Sequence, residues 1–147
     1  ASKPTPWHQD RPYWPMNELG QTSCWVALDD VNGDNGCMSF LVGSHTWGLL
    51  EGVNLTNPQD IKAVAPHVDH STTRAEMIPL RAGSCTFHSG LTFHFAGPNR
   101  TARPRRAMVT IYMPGDTTYS GKAHVVTDGL GLPVGGLFEH ELFPILA

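Results

Sequence analysis

Four residues in this chain have side chains that could do chemistry together, and they lie far apart in sequence. His8 and Asp10 stand two apart in "TPWHQDRPYW" (5–14), between Trp7 and Trp14. His94 sits in "LTFHF" (91–95), and Arg105 opens "RRAMVTIYM" (105–113). Along a strand, side chains two apart project to one face, so His8 and Asp10 can converge on one ion while Gln9 points away. One imidazole and one carboxylate need a third ligand. Two histidines and a carboxylate on one face of an octahedral ion leave three positions open, as in non-haem Fe(II) oxygenases.

His88 and His94 are the candidates for that third position. His94 has the better claim because Arg105 lies a short way downstream of it. Alternation from Arg105 places it on the face of Ala107, Val109 and Ile111. An arginine at the edge of an all-apolar face is costly unless it meets an anion, and its planar fork suits a carboxylate held through two hydrogen bonds. The triad with Arg105 makes a coherent site for Fe(II) and 2-oxoglutarate.

The remaining candidates read as ordinary residues. A His-x-Asp triplet by itself is more often a polar turn than a metal clamp. A second one, His67-Val68-Asp69 with His70 behind it, reads as a solvated loop, and His88 as a packed histidine at a strand end beside the site. His45, His124 and His140 read as surface or hydrogen-bonded residues, Arg103 and Arg106 as solvated. Tyr13 and Trp14 suit either substrate contact or core packing.

These residues need a scaffold of strands. "QTSCWVALDD" (21–30), "CMSFLV" (37–42), "EMIPL" (76–80), "SCTFH" (84–88), "LTFHF" (91–95) and "RRAMVTIYM" (105–113) read as strands. "VNGDNG" (31–36), "RAGS" (81–84) and "AGPN" (96–99) supply turn chemistry between them. With the opening segment this gives about seven short strands, a β-sandwich or barrel. Helix signals are few: "NPQDIKAV" (57–64), with Asn57 as cap and Pro58 at the first helical position, and a short turn at "HTWGLL" (45–50). Residues 51–75 read as an irregular excursion over the mouth or side of the barrel.

Composition agrees. The 147 residues suffice for one domain, 1–147, with a single core. Charged residues are only 16 %, whereas Gly (15) and Pro (12) are abundant, which favours short strands and tight turns. A net charge of -3, with no basic run beyond "RPRR" (103–106), argues against a nucleic-acid or anionic-membrane surface. Cys24, Cys37 and Cys85 lie in apolar runs and read as reduced core residues of an intracellular, cytoplasmic protein. The triplets at Asn54 and Asn99 match a glycosylation pattern but carry little weight without a secretory segment. No apolar run approaches membrane-spanning length. The first residue is Ala, so the chain reads as a processed or truncated piece.

With these residues assembled, the chain resembles the phytanoyl-CoA dioxygenase family of Fe(II)/2-oxoglutarate oxygenases. Three blocks carry the resemblance: "WHQD" (7–10), "CWVALDDVNGDNGCMSFLVGSHTWG" (24–48) and "FHSGLTFHFAGPNRTARPRRAMVTIYM" (87–113). The closing "GLFEHELFPILA" (136–147) also resembles tails of bacterial members. The resemblance implies an all-β, cupin-like double-stranded β-helix (jelly roll). It assigns His8, Asp10 and His94 as iron ligands, Arg105 as partner of the distal 2-oxoglutarate carboxylate, and Trp25 as a wall of that pocket. It implies hydroxylation of a C–H bond in a small-molecule substrate, consuming O2 and releasing succinate and CO2; no sequence feature bears on oligomeric state. Asp10 speaks against halogenation, since related halogenases carry a small residue there.

The chain also departs from the family. Phe95-Ala96 replaces the common Gly-Ser after the distal histidine, and Val42-Gly43-Ser44-His45 replaces Pro-Gly-Ser-His. Relatives carry a section of on the order of a hundred residues before the His-x-Asp strand, beyond the usual domain-size expectation, and it is expected to be missing here. Two rival readings remain at this level: a cupin-like metalloenzyme that does not use 2-oxoglutarate, and a non-catalytic jelly-roll fragment.

Overall fold

The computed structural model describes residues 2–57 and 59–146. The strands are β1 (Thr5–His8), β2 (Thr22–Ala27), β3 (Met38–Leu41), β4 (Ala75–Met77), β5 (Cys85–Ser89), β6 (His94–Ala96) and β7 (Ala107–Tyr112). They form two antiparallel sheets, a four-stranded one ordered β1-β6-β3-β4 and a three-stranded one ordered β5-β2-β7. The chain crosses repeatedly from one sheet to the other, so neighbours in space are remote in sequence. This is a jelly-roll arrangement, cupin-like and all-β.

The sheets face each other across an apolar core. Trp25 and Ala27 from β2 meet Met38 and Ala96 from the other sheet, with Val31 and Cys37 closing the turn between β2 and β3. That turn must come very close to the chain after β6. A Cβ on Gly36, whose φ is +85°, would stand 2.3 Å from the Gly97 carbonyl oxygen, so only glycine fits there.

Several expectations change in detail. Helix α1 (Ile61–Val64) is a single turn capped by Asp60, whose carboxylate accepts from the Lys62 amide. Asn57 is not the cap, and Pro58 lies outside the described residues. An Asp directly before the turn captures an amide that Asn57 is too far upstream to reach. The short turn near 45–50 is a 3-10 helix over Ser44–Trp47. Cys24 and Cys37 are buried, but Cys85 is exposed because it lies on the outward face of β5. Arg106 is not simply solvated: its guanidinium grips Asp29 at 3.0 and 2.6 Å. No helix among the described residues is long and apolar enough to cross a membrane.

Candidate metal centre

β1 and β6 pair antiparallel, with His8 directly opposite His94, and this ladder brings two sequence-remote imidazoles to a ring separation of 4.2 Å. Both rings are pinned in the same way. His8 Nδ1 lies 2.8 Å from the Pro6 carbonyl, and His94 Nδ1 lies 3.0 Å from the Thr92 carbonyl. A carbonyl only accepts, so each Nδ1 carries the proton and each Nε2 presents a bare lone pair. That second-neighbour anchoring is how metal-binding histidines are oriented.

Asp10 reaches the same point by a different route from the one alternation suggests. β1 ends at His8, and Asp10 (φ −75°, ψ −39°) stands directly before a 3-10 turn over Arg11–Tyr13, with its carboxylate free of the turn's amides. The bend, not the pleat, swings its carboxylate back over the histidines. Asp10 Oδ1 stands 3.5 Å from His8 Nε2 and 3.6 Å from His94 Nε2. One ligand atom from each of the three residues fits within 4.8 Å of the other two.

The other carboxylate oxygen faces the opposite sheet. Ser23 on β2 donates its hydroxyl to Asp10 Oδ2 at 2.8 Å, and His88 Nε2 on β5 lies 3.6 Å from the same oxygen. Burial opposes ionisation of Asp10, but the His8, His88 and His94 rings and the Ser23 hydroxyl outweigh it and hold the carboxyl far below the usual range. Burial pushes the His94 imidazole down to about 4, against the partial attraction of Asp10. The cluster thus offers one carboxylate oxygen and the Nε2 atoms of His8 and His94 as donors. Such a donor set fits a divalent cation. Adjacent donors around an octahedral ion with bonds of about 2.1 Å stand about 3 Å apart, so the gaps of 3.5 and 3.6 Å close with small side-chain movements.

Two neighbours of Asp10 that the sequence left unassigned fix this segment. Arg11 is buried, and its guanidinium points at the carbonyls of Trp14, Met16, Asn17 and Glu18. Gln9 does point away from the cluster, but into the interior. Its amide donates to the Gly48 and Leu91 carbonyls at 2.8 Å each and accepts from the Leu50 amide at 2.9 Å. Tyr13 holds the same loop, with its hydroxyl donating to the Val53 carbonyl and accepting from the Val53 amide. Trp14 is core packing: a Cβ on Gly90 would stand 2.5 Å from its ring. Ser23 also went unnoticed, although alternation along β2 places it on the same face as Trp25.

A cavity of about 190 Å³ opens beside the cluster. His8, Asp10, His94, Trp25, Ala96 and Arg105 all border it. Arg105 is half-buried, and its guanidinium lies over the Trp25 ring at 5.6 Å, a cation–π contact. The apolar face expected around it is open, since β7 is an edge strand with Val109 53 % and Ile111 40 % exposed. Ala96 brings no hydroxyl to the cavity, and Phe95 turns away to stack on Trp7 at 5.4 Å. His67 and Asp69 border a separate 440 Å³ hollow, and a 910 Å³ groove runs along the C-terminal segment; neither includes a residue of the triad. His45 is exposed, and His124 and His140 lie away from the cluster.

Comparison with known proteins gives consistent results. The family model for phytanoyl-CoA dioxygenase (PhyH) matches residues 1–107. A probable alpha-ketoglutarate-dependent hypophosphite dioxygenase of Stutzerimonas stutzeri is 28 % identical over 119 residues, covering 79 % of this chain and 42 % of its own. The peroxisomal phytanoyl-CoA dioxygenase of Homo sapiens is 27 % identical over 148 residues, covering 94 % and 41 %. Among solved structures, the non-heme alpha-ketoglutarate-dependent carbocyclase SnoK from nogalamycin biosynthesis superposes with a TM-score of 0.82 at 34 % identity, covering 99 % of this chain and 56 % of that one. The epimerase SnoN, in complex with Fe3+, alpha ketoglutarate and nogalamycin RO, gives 0.78 at 33 % identity, covering 98 % and 57 %. The chain thus spans about two fifths of the curated relatives and just over half of the solved ones. The match over residues 1–107 places this chain in the phytanoyl-CoA dioxygenase (PhyH) family.

Proposed function

We propose that this chain carries the iron(II) and 2-oxoglutarate centre of a dioxygenase that oxidises a C–H bond of a small molecule. The observation that carries the proposal is the convergence of two Nε2 lone pairs and one carboxylate oxygen beside a cavity that also holds an arginine. His8 and His94 would supply neutral nitrogen donors and Asp10 the single negative charge. When bound, iron would supply the O2 chemistry, coupling decarboxylation of 2-oxoglutarate to succinate and CO2 with oxidation of the substrate.

Arg105 would hold the far carboxylate of 2-oxoglutarate through its fork, with Trp25 keeping the guanidinium in place and shielding it from water. The cavity supports this division of roles. At about 190 Å³ it falls below the roughly 300–1,000 Å³ of pockets that enclose drug-sized ligands. It suits a small dicarboxylate, and the substrate would lie outside it. Arg105 also weighs against a cupin-like enzyme without 2-oxoglutarate.

The test is Fe(II)-dependent formation of succinate from 2-oxoglutarate by the full chain, without a second substrate. Arg105→Ala should raise the 2-oxoglutarate concentration needed for half-maximal turnover at least tenfold. Unchanged co-substrate affinity in that variant removes Arg105 from the co-substrate site, and metal uptake without any turnover of 2-oxoglutarate points to the cupin-like alternative. No turnover together with no metal uptake leaves the non-catalytic fragment.

The fate of the substrate carbon has two readings. Hydroxylation is the reading that the family name favours. The likeness to SnoK and SnoN, a carbocyclase and an epimerase, supports ring closure or epimerisation of a natural-product intermediate. Product mass separates them: an added oxygen, a loss of two hydrogens, or no change.

A further inference from the structure

His88 takes no part in the triad, yet it is as buried as the histidines that do, at 9 % exposure. It comes from the other sheet. His88 on β5 stands directly opposite Ser23 on β2, and both side chains address Asp10 Oδ2. The two carboxylate oxygens are thereby divided between the sheets. Oδ1 meets His8 and His94 from the β1–β6 ladder, while Oδ2 meets Ser23 and His88 from the β2–β5 ladder.

The state of the His88 ring is set by its far side. His88 Nδ1 is buried with no hydrogen-bond partner among the described residues, in contrast to the carbonyl-capped Nδ1 atoms of His8 and His94. A ligand role would need a bare Nε2, which puts the proton on Nδ1 and buries an unpaired donor. The opposite tautomer leaves only an unpaired lone pair at Nδ1 and aims an N–H at an anion, which is the better arrangement. His88 also falls outside the group whose ligand atoms all lie within 4.8 Å of one another.

Resting on the metal-centre reading above, we propose that His88 is a positioning residue. With the metal in place, its Nε2–H donates to Asp10 Oδ2 alongside the Ser23 hydroxyl, so that Asp10 binds through Oδ1 alone. At 3.6 Å the contact stands just beyond hydrogen-bond length, and a small rotation of the carboxylate onto the metal closes it. A carboxylate held in this way cannot swing round to chelate through both oxygens. Three coordination positions therefore stay free for co-substrate and O2.

The probe is Co(II), titrated into the full chain and followed by its visible absorption, with X-ray absorption counting bound imidazoles. His88→Leu should weaken Co(II) binding tenfold or more. His88→Gln, which keeps an N–H of similar reach, should stay within tenfold of the parent, and the parent should show two imidazoles. Circular dichroism checks that each variant is folded. A folded His88→Leu chain that binds within tenfold of the parent overturns the proposal. Should His88→Leu not fold, a tenfold or greater loss in His88→Gln overturns it instead. Three imidazoles in the parent make His88 a ligand and also overturn it. A parent chain that takes up no Co(II) removes the metal-centre reading itself, which none of the other outcomes does.

Discussion

His8 and His94 face each other across the β1–β6 ladder, and each gives its Nδ1 proton to the carbonyl two residues upstream. This shared anchoring makes the pair a rigid, pre-aimed set of two nitrogen lone pairs. Replacing either ring should therefore cost more than a ligand held loosely would. His8→Ala and His94→Ala should each lower Mn(II) affinity by at least about 100-fold, beyond the 10–100-fold typical of outer partners. Isothermal titration of the folded variants checks this. A variant that binds as tightly as the parent removes that histidine from the ligand set.

The metal-free protein should lose stability in mild acid. The groups that face His94 are Asp10, His8 and His88, and burial holds its imidazole down at about 4. In the unfolded chain an imidazole takes up its proton near 6.5. As pH falls from 6.5 toward 4 the unfolded state binds more protons, so stability falls with it. Above 6.5 the contribution is complete, and it amounts to at most about 3 kcal/mol. Asp10, held far below the usual range, adds its own loss only below the ordinary carboxylate value near 3.8. Thermal midpoints of chelator-treated protein between pH 7.5 and 4.5 should drop, and His94→Gln should flatten the slope. Parallel slopes for parent and variant would assign the acid sensitivity to other groups.

Arg11 should prove more important to the fold than its place in the sequence suggests. Its buried guanidinium serves the carbonyls of Trp14, Met16, Asn17 and Glu18 and so fixes the turn that carries Asp10. Arg11→Met keeps the length but leaves those acceptors short of donors, at a cost of about 3 kcal/mol. Arg11→Lys should recover only part of this, because one ammonium cannot reproduce the planar fork. Urea unfolding of both variants measures the difference. Equal stability of Arg11→Met and the parent would mean that water replaces the guanidinium.

Arg11 also shows where sequence reading stops. The strands were legible because β-branched and aromatic runs alternate with turn residues, and β1 to β7 overlap the stretches so marked, with β4, β5 and β6 each running one residue past them at Ala75, Ser89 and Ala96. The convergence of His8, Asp10 and His94 was legible because binding a metal needs particular side chains. A cage of backbone carbonyls leaves no such mark, and neither does the bend at Asp10 that replaces the expected strand geometry. Ser23 was within reach, since alternation from Trp25 places it on the cavity face. The openness of β7 was not, because a strand's own pattern does not say what packs against it.

The loop after the 3-10 helix at Ser44–Trp47 should depend on Gln9 rather than on its own contacts. The Gln9 amide bridges Gly48, Leu50 and Leu91, and the Tyr13 hydroxyl closes the same loop at Val53. Residues 48–53 are thus tied to the segment that carries His8 and Asp10. Gln9→Glu is the sharpest probe, because it sets carboxylate oxygens against two carbonyl oxygens that the amide nitrogen now serves. Hydrogen exchange at the Leu50 amide should accelerate at least tenfold, while the Val53 amide, held by Tyr13, and amides in β2 keep their protection. Tyr13→Phe should free Val53 but not Leu50, since the two anchors act on different residues. If Gln9→Glu leaves Leu50 protected, the loop is held by something other than this amide. If it frees β2 as well, Gln9 supports the whole fold and not the loop alone.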